Sequence, residues 1–119
     1  MNKEFHSPYD NISREKLVRD KIPEIIKKNG KVAVIKKITN DKEYYSKLLE
    51  KLQEEIKEFT ETPNEEEAAD ILEVFHAILK FKKINFELVK EARLKKGFLR
   101  GGFDKRLVLR QTSKLKWLH

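Results

Sequence analysis

Cysteine is absent from the 119 residues. That excludes a disulfide framework, a thiolate zinc site and a cysteine nucleophile. No apolar run approaches the roughly 18 residues of a membrane-spanning helix. Residues 1–10 lack the apolar stretch of a signal peptide, so a cytoplasmic location and no membrane partner are expected. There is no internal repeat and no low-complexity segment. Only 4 glycines and 3 prolines are present, so each one between periodic segments marks a boundary. What remains is a chain that is 39% hydrophobic and 39% charged. The apolar positions are too many and too periodic for a disordered chain. The length suits one ordinary domain, expected over 14–110, with tails at 1–13 and 111–119.

Lysine and arginine number 27 against 20 acidic residues, a formal charge of +7. A basic balance favours an anionic partner: nucleic acid, nucleotide or phosphate. The signs are also separated along the chain. Acidic residues crowd into 50–73, and the last quarter, from Lys90 on, is strongly basic. Such a division suits a chain that holds cations with one part and phosphates with another. It equally suits two solvated helix faces.

Asp20 precedes Lys21-Ile22-Pro23, a cap followed by proline in a first turn. A short helix through Ile25 and Ile26 should stop at Asn29-Gly30. The segment 31–38 is rich in β-branched residues and reads as a short strand. Asn40-Asp41 can cap a helix over 42–60, with the stripe Tyr45, Leu48, Leu49, Leu52, Ile56 and Phe59. Pro63 breaks it. Asn64 can cap a third helix over 65–82, with the stripe Ala68, Ile71, Leu72, Phe75, Ile78 and Leu79. A connection this short makes the two helices antiparallel neighbours. Asn85 can cap a fourth helix that ends at Gly97. The segment 105–110 reads as a second strand. The expected fold is therefore mainly α, a small helical bundle with a central antiparallel pair and a minor β ribbon.

The informative residues are Glu54-Glu55-Ile56-Lys57-Glu58 on one helix of that pair and Glu67-Ala68-Ala69-Asp70 on the other. Residues three apart share a helix face. At about 100° per residue, Glu55 lies roughly 60° from the centre of its apolar stripe and Glu58 roughly 120° on the same side. Glu67 lies roughly 80° from the centre of its own stripe, with Asp70 further round the same flank. Glu54 points roughly away from the seam. Packed antiparallel, the helices would bring Glu55, Glu58, Glu67 and Asp70 together. Four close carboxylates repel one another and lose hydration, so they need cations. Oxygen-only ligands suit Mg²⁺ or Mn²⁺, and Mg²⁺ shares its shell with substrate phosphates. Simpler readings stand beside this one. Lys51 and Glu55 form an ordinary i,i+4 pair, Asn64 with Glu67 has the form of a capping box, and an acidic i,i+3 pair often just faces water.

At these residues the sequence resembles the all-α nucleoside triphosphate pyrophosphatase superfamily, the MazG and phosphoribosyl-ATP pyrophosphatase group, whose hallmark is EExxE followed by ExxD on the next helix. The likeness extends to Lys16-Leu17-Val18-Arg19-Asp20-Lys21-Ile22-Pro23-Glu24 and to Lys95-Lys96-Gly97-Phe98-Leu99-Arg100-Gly101-Gly102-Phe103, which are similar to those of a small house-cleaning branch. It covers about 16–110. The segment between the two motifs is shorter than in typical MazG proteins and closer to the phosphoribosyl-ATP branch. The resemblance implies a hydrolase acting on phosphoric anhydride bonds, cleaving a nucleotide between its α and β phosphates to a monophosphate and pyrophosphate. It also implies a dimer or tetramer, and Mg²⁺ held by Glu55, Glu58, Glu67 and Asp70. One carboxylate, Glu55 or Glu58, is then expected to orient the attacking water as base.

The basic residues then have an expected task. Lys95, Lys96 and Arg100 adjoin a glycine turn where backbone can approach an anion, and Arg19 and Lys21 could contribute from the opening segment. Each of these is also an ordinary solvated side chain. His76 reads as a boundary residue, His6 and His119 as idle, and Trp117 as a lid or a subunit contact. The competing reading is a non-catalytic helical module that binds nucleic acid through its basic C-terminal region, which leaves the acidic quartet unexplained.

Overall fold

Asparagine begins three of the four helices in the computed structural model, which describes residues 15–114. The helices are α1 (Ile22–Lys28), α2 (Asp41–Glu61), α3 (Glu65–Phe81) and α4 (Phe86–Arg100). Asn40 Oδ1 accepts from Glu43 N–H at 2.9 Å, and Asn64 Oδ1 accepts from Glu67 N–H at 2.8 Å. Asn85 Oδ1 accepts from both Glu87 and Leu88 N–H. Each bond satisfies a donor that the start of a helix leaves without an intrahelical partner. His6, Trp117 and His119 lie outside the described residues, as do the expected tail 1–13 and most of the tail 111–119.

The start of α1 differs from expectation. Its cap is Lys21, not Asp20, and no side chain caps it. The backbone has less need of one: Ile22 N–H already donates to Arg19 O at 3.0 Å, and Pro23 has no N–H to satisfy. The end is as expected. Gly30 takes φ +80°, and Gly30 and Lys31 N–H donate back to Lys27 and Ile26 carbonyls. The end of α4 differs again. The helix runs through Gly97 and stops at Gly101, which has φ +82° and whose N–H donates to Gly97 O at 2.9 Å. An interior glycine only weakens a helix, whereas the backbone conformation at Gly101 is one that side chains disfavour.

No strand forms among the described residues, so the expected β ribbon is absent. In 31–38, Val32 and Val34 are 88% and 96% exposed. In 105–110, Leu107, Val108 and Leu109 are exposed, and Arg106 has a left-handed φ of +57°. β-branched residues favour strands because they pack on a pleated neighbour, and among the described residues neither segment has one.

The chain divides into two compact units, one ending at Ile84 and the other beginning at Asn85. The first contains α1 and the packed pair α2 and α3. Among the described residues its buried apolar side chains are Leu48, Ile78 and Leu79. One end of the pair is closed by aromatic rings: Phe81 packs edge-on to Tyr44 and stacks on Tyr45, and Lys82 Nζ lies 4.2 Å from the centre of the Tyr45 ring. On α2 the buried line runs through Leu48 and Glu55, while Leu49 and Ile56, at the other edge of the expected stripe, are exposed. Leu72 and Phe75 on α3 are exposed as well. The seam is thus turned toward the carboxylates. The second unit is α4 and the chain after it, in which residues 91–114 are all exposed.

Candidate metal centre

Glu55 is the buried charged residue of the described chain, at 8% exposure. It stands seven residues after Leu48, two turns along the same face of α2, so the seam that buries one also encloses the other. Across the seam, Glu67 and Asp70 occupy one flank of α3. One carboxylate oxygen each from Glu55, Glu67 and Asp70 lie within 4.8 Å of one another. Three of the four expected ligands are therefore brought together. Glu58 is exposed and lies outside this trio, although its charge acts on Glu67.

The surroundings of the three differ. Glu55 lies 3.3 Å from Lys51 Nζ. Asp70 Oδ1 accepts from Arg19 Nη2 at 2.7 Å. Glu67 as a whole is half-buried, but its Oε2 is enclosed and has no hydrogen-bond partner among the described residues. Asn64 does cap Glu67 N–H, but this oxygen takes no part in a reciprocal capping bond. A buried carboxylate oxygen with no donor is costly and calls for a cation. An all-oxygen donor set with one such oxygen fits Mg²⁺ or Mn²⁺.

The electrostatics agree with the geometry. Burial raises the Glu55 carboxyl above its ordinary range. Lys51 opposes that rise, and Asp70 and Glu54 add to it. Glu67 is raised by desolvation, then by the negative charges of Glu58, Asp70 and Glu55. Glu54 behaves in the opposite way. Burial would raise it, but Lys51 at 2.7 Å and Lys16 at 3.4 Å hold it below its ordinary value. Burial would lower Lys51, yet Glu54 and Glu55 hold it above its ordinary value. Glu54 is committed to two lysines, which accounts physically for its absence from the cluster.

These shifts give a pH dependence. The folded chain holds protons on Glu55 and Glu67 at a pH where the unfolded chain has released them. Their contribution to stability therefore rises as pH falls through the raised values and levels off below the ordinary carboxylate range. Glu54 contributes stability above its ordinary value, which is lost as pH falls through its lowered one. The metal-free chain should melt at a higher temperature as pH drops from neutrality into the upper carboxylate range, and at a lower one on further acidification. Millimolar Mg²⁺ should raise the melting temperature at neutral pH and shrink the first rise. Thermal melts across pH, with and without Mg²⁺, check this. A melting temperature that ignores both pH and Mg²⁺ would mean that the three carboxylates share no field.

The other expected site residues fall in different places. Arg19 is at the cluster, bound to Asp70 rather than free. Lys21 is exposed at the start of α1. Lys95, Lys96 and Arg100 are exposed on α4, in the second unit. His76 is exposed on α3. Lys16 carries no signal in the sequence that ties it to Glu54. Lys51 does, as the residue three and four positions before two glutamates. Among the described residues no helix is long and apolar enough to cross a membrane. Comparison with known proteins adds nothing to the geometry: no family model, no curated protein and no solved structure matches the chain.

Proposed function

We propose that the chain is a Mg²⁺-dependent nucleotide pyrophosphohydrolase of the cytoplasm, splitting a nucleoside triphosphate or a phosphoribosyl-ATP-like nucleotide into a monophosphate and pyrophosphate. The observation that carries this reading is the trio of carboxylate oxygens from two antiparallel helices, together with a Glu67 oxygen that is enclosed without a partner among the described residues. The likeness of Glu54–Glu58 and Glu67–Asp70 to the motifs of the all-α pyrophosphatases supports the reaction class.

Glu55, Glu67 and Asp70 would hold the cation, with Mn²⁺ as a substitute. Bound there, Mg²⁺ supplies polarisation of the phosphate and a lowered pKa for a water. Glu58, exposed beside Glu67 and outside the trio, accepts the proton of the attacking water, with Glu55 as the alternative base. Lys51 keeps Glu55 oriented. Arg19 neutralises charge on the phosphates, as does Lys21 of the same unit. The reading includes a homo-oligomer. Leu49, Ile56, Leu72 and Phe75 are apolar surface that pairing with a second copy would bury.

The test is release of pyrophosphate from a panel of nucleoside triphosphates and phosphoribosyl-ATP with Mg²⁺. Release is expected for at least one nucleotide, and none with a chelator or in Glu55→Gln. No release across the panel, or full release by Glu55→Gln, overturns the assignment. The continuous exposure of 91–114, with its lysines and arginines, favours a second reading, a nucleic-acid-binding module. Its signature would be an affinity that falls steeply with salt, because phosphate contacts release counterions.

A further inference from the structure

Two basic side chains serve the three carboxylates, and they are held very differently. Lys51 is on α2 itself, 15% exposed, donating to Glu54 at 2.7 Å and lying 3.3 Å from Glu55. Leaving would uncover two carboxylates in a partly buried setting, so it is a fixed part of the site. Arg19 is in the chain before α1. Its side chain is 53% exposed and Asp70 is 38% exposed, and Nη2 donates to Oδ1 at 2.7 Å. Exposed ion pairs of this kind are weakly held. Arg19 is therefore the counter-ion that can change partners, and Asp70 is the ligand it would release.

We propose that Arg19 is a partner-exchanging phosphate ligand: it pairs with Asp70 in the metal-free chain and moves to a phosphate oxygen of the nucleotide when Asp70 engages a divalent cation. This rests on the pyrophosphohydrolase reading and adds a coupling to it. A planar guanidinium suits both partners, since carboxylate and phosphate each accept two parallel N–H bonds. In the metal-free chain Arg19 competes with the cation for the charge of Asp70. In the loaded site the released guanidinium faces the anion that enters with the cation. Cation and nucleotide each remove the other's competitor, so they bind cooperatively, and the coupling is the same in both directions. The exchange also keeps the site from carrying its full negative charge between turnovers.

The test is titration of the full-length chain with Mn²⁺, alone and with α,β-methylene adenosine triphosphate, whose scissile linkage cannot be hydrolysed. Arg19→Ala should bind Mn²⁺ alone about two- to fivefold more tightly, because the competitor at Asp70 is gone. The same variant should bind the Mn²⁺–analogue complex about tenfold more weakly, because a charge-assisted phosphate contact is lost. Arg19→Lys should keep the wild-type Mn²⁺ affinity and recover only part of the analogue affinity, because a point charge pairs with Asp70 but does not make the fork. If Arg19→Ala weakens Mn²⁺ alone, Arg19 merely positions Asp70 and the exchange is wrong. Unchanged analogue binding in that variant overturns it as well. The underlying reading is tested separately by wild-type and Glu67→Gln titrations. If the wild type binds no Mn²⁺, or Glu67→Gln binds it equally well, the metal centre itself falls and the exchange with it.

Discussion

Glu67→Gln is expected to lose turnover by roughly a hundredfold or more, since even the groups that support metal ligands cost tenfold to a hundredfold when removed. The same substitution should raise the melting temperature of the metal-free chain. Glu67 Oε2 is enclosed without a partner, and the carboxylate sits in the field of Glu58, Asp70 and Glu55. The amide removes that charge while Asn64 still caps the N–H of residue 67. A residue that merely capped α3 would behave otherwise, because glutamine also serves in a capping box and activity would survive. Asp70→Asn makes a useful contrast. It too should lose turnover, but it should bring no gain in stability, because it deprives Arg19 of its charged partner. Steady-state pyrophosphate release and thermal melts on the same preparations read both effects. An active Glu67→Gln, or one less stable than wild type without metal, would remove Glu67 from the site.

Leu48→Ala should damage the protein by a different route. Leu48 is 2% exposed, the one fully enclosed side chain of the described residues. Deleting its isobutyl group costs about 2–5 kcal/mol, the sum of lost burial and an unfilled cavity. A domain of this size is stable by only about 5–15 kcal/mol. With only Ile78 and Leu79 as the other buried apolar side chains among the described residues, little else there can absorb the loss. The midpoint of urea unfolding should fall sharply, and turnover at a given temperature should fall with the folded fraction. Mg²⁺ should restore part of it, since binding only the folded state favours folding by mass action. Unfolding curves with and without Mg²⁺ separate this from Glu67→Gln, which should gain little from the ion. If Leu48→Ala leaves the midpoint in place, the α2–α3 seam is not what holds the unit together.

The helices were legible because their signals are local. An asparagine before each of α2, α3 and α4 accepts from N–H groups two or three residues on, and Gly30 takes the left-handed φ that ends α1. The pairing of α2 with α3 followed from the short link at Pro63. The spacing of Glu55, Glu67 and Asp70 placed them on flanks that meet across that pair. The failures arose where a local signal depended on a distant partner. Valines at 32 and 34 favour a strand only against a pleated neighbour, and none is there among the described residues. Gly97 permits a helix end but does not demand one, and the backbone conformation that the turn needs falls at Gly101. The direction of burial on α2 was also out of reach. An apolar stripe that includes Leu49 and Ile56 says nothing of which edge the neighbouring helix covers, and it covered the edge with Glu55. Partner choice among charges was least legible of all. Arg19 and Asp70 are 51 residues apart, and no periodicity links them. By itself the sequence determined the positions of α2 and α3, the three asparagine caps and the carboxylate flanks, because these depend on backbone geometry within a turn or two. Which carboxylate is buried, which is left without a donor and which is held by arginine was decided by tertiary structure, because desolvation and ion pairing depend on distances that only packing creates.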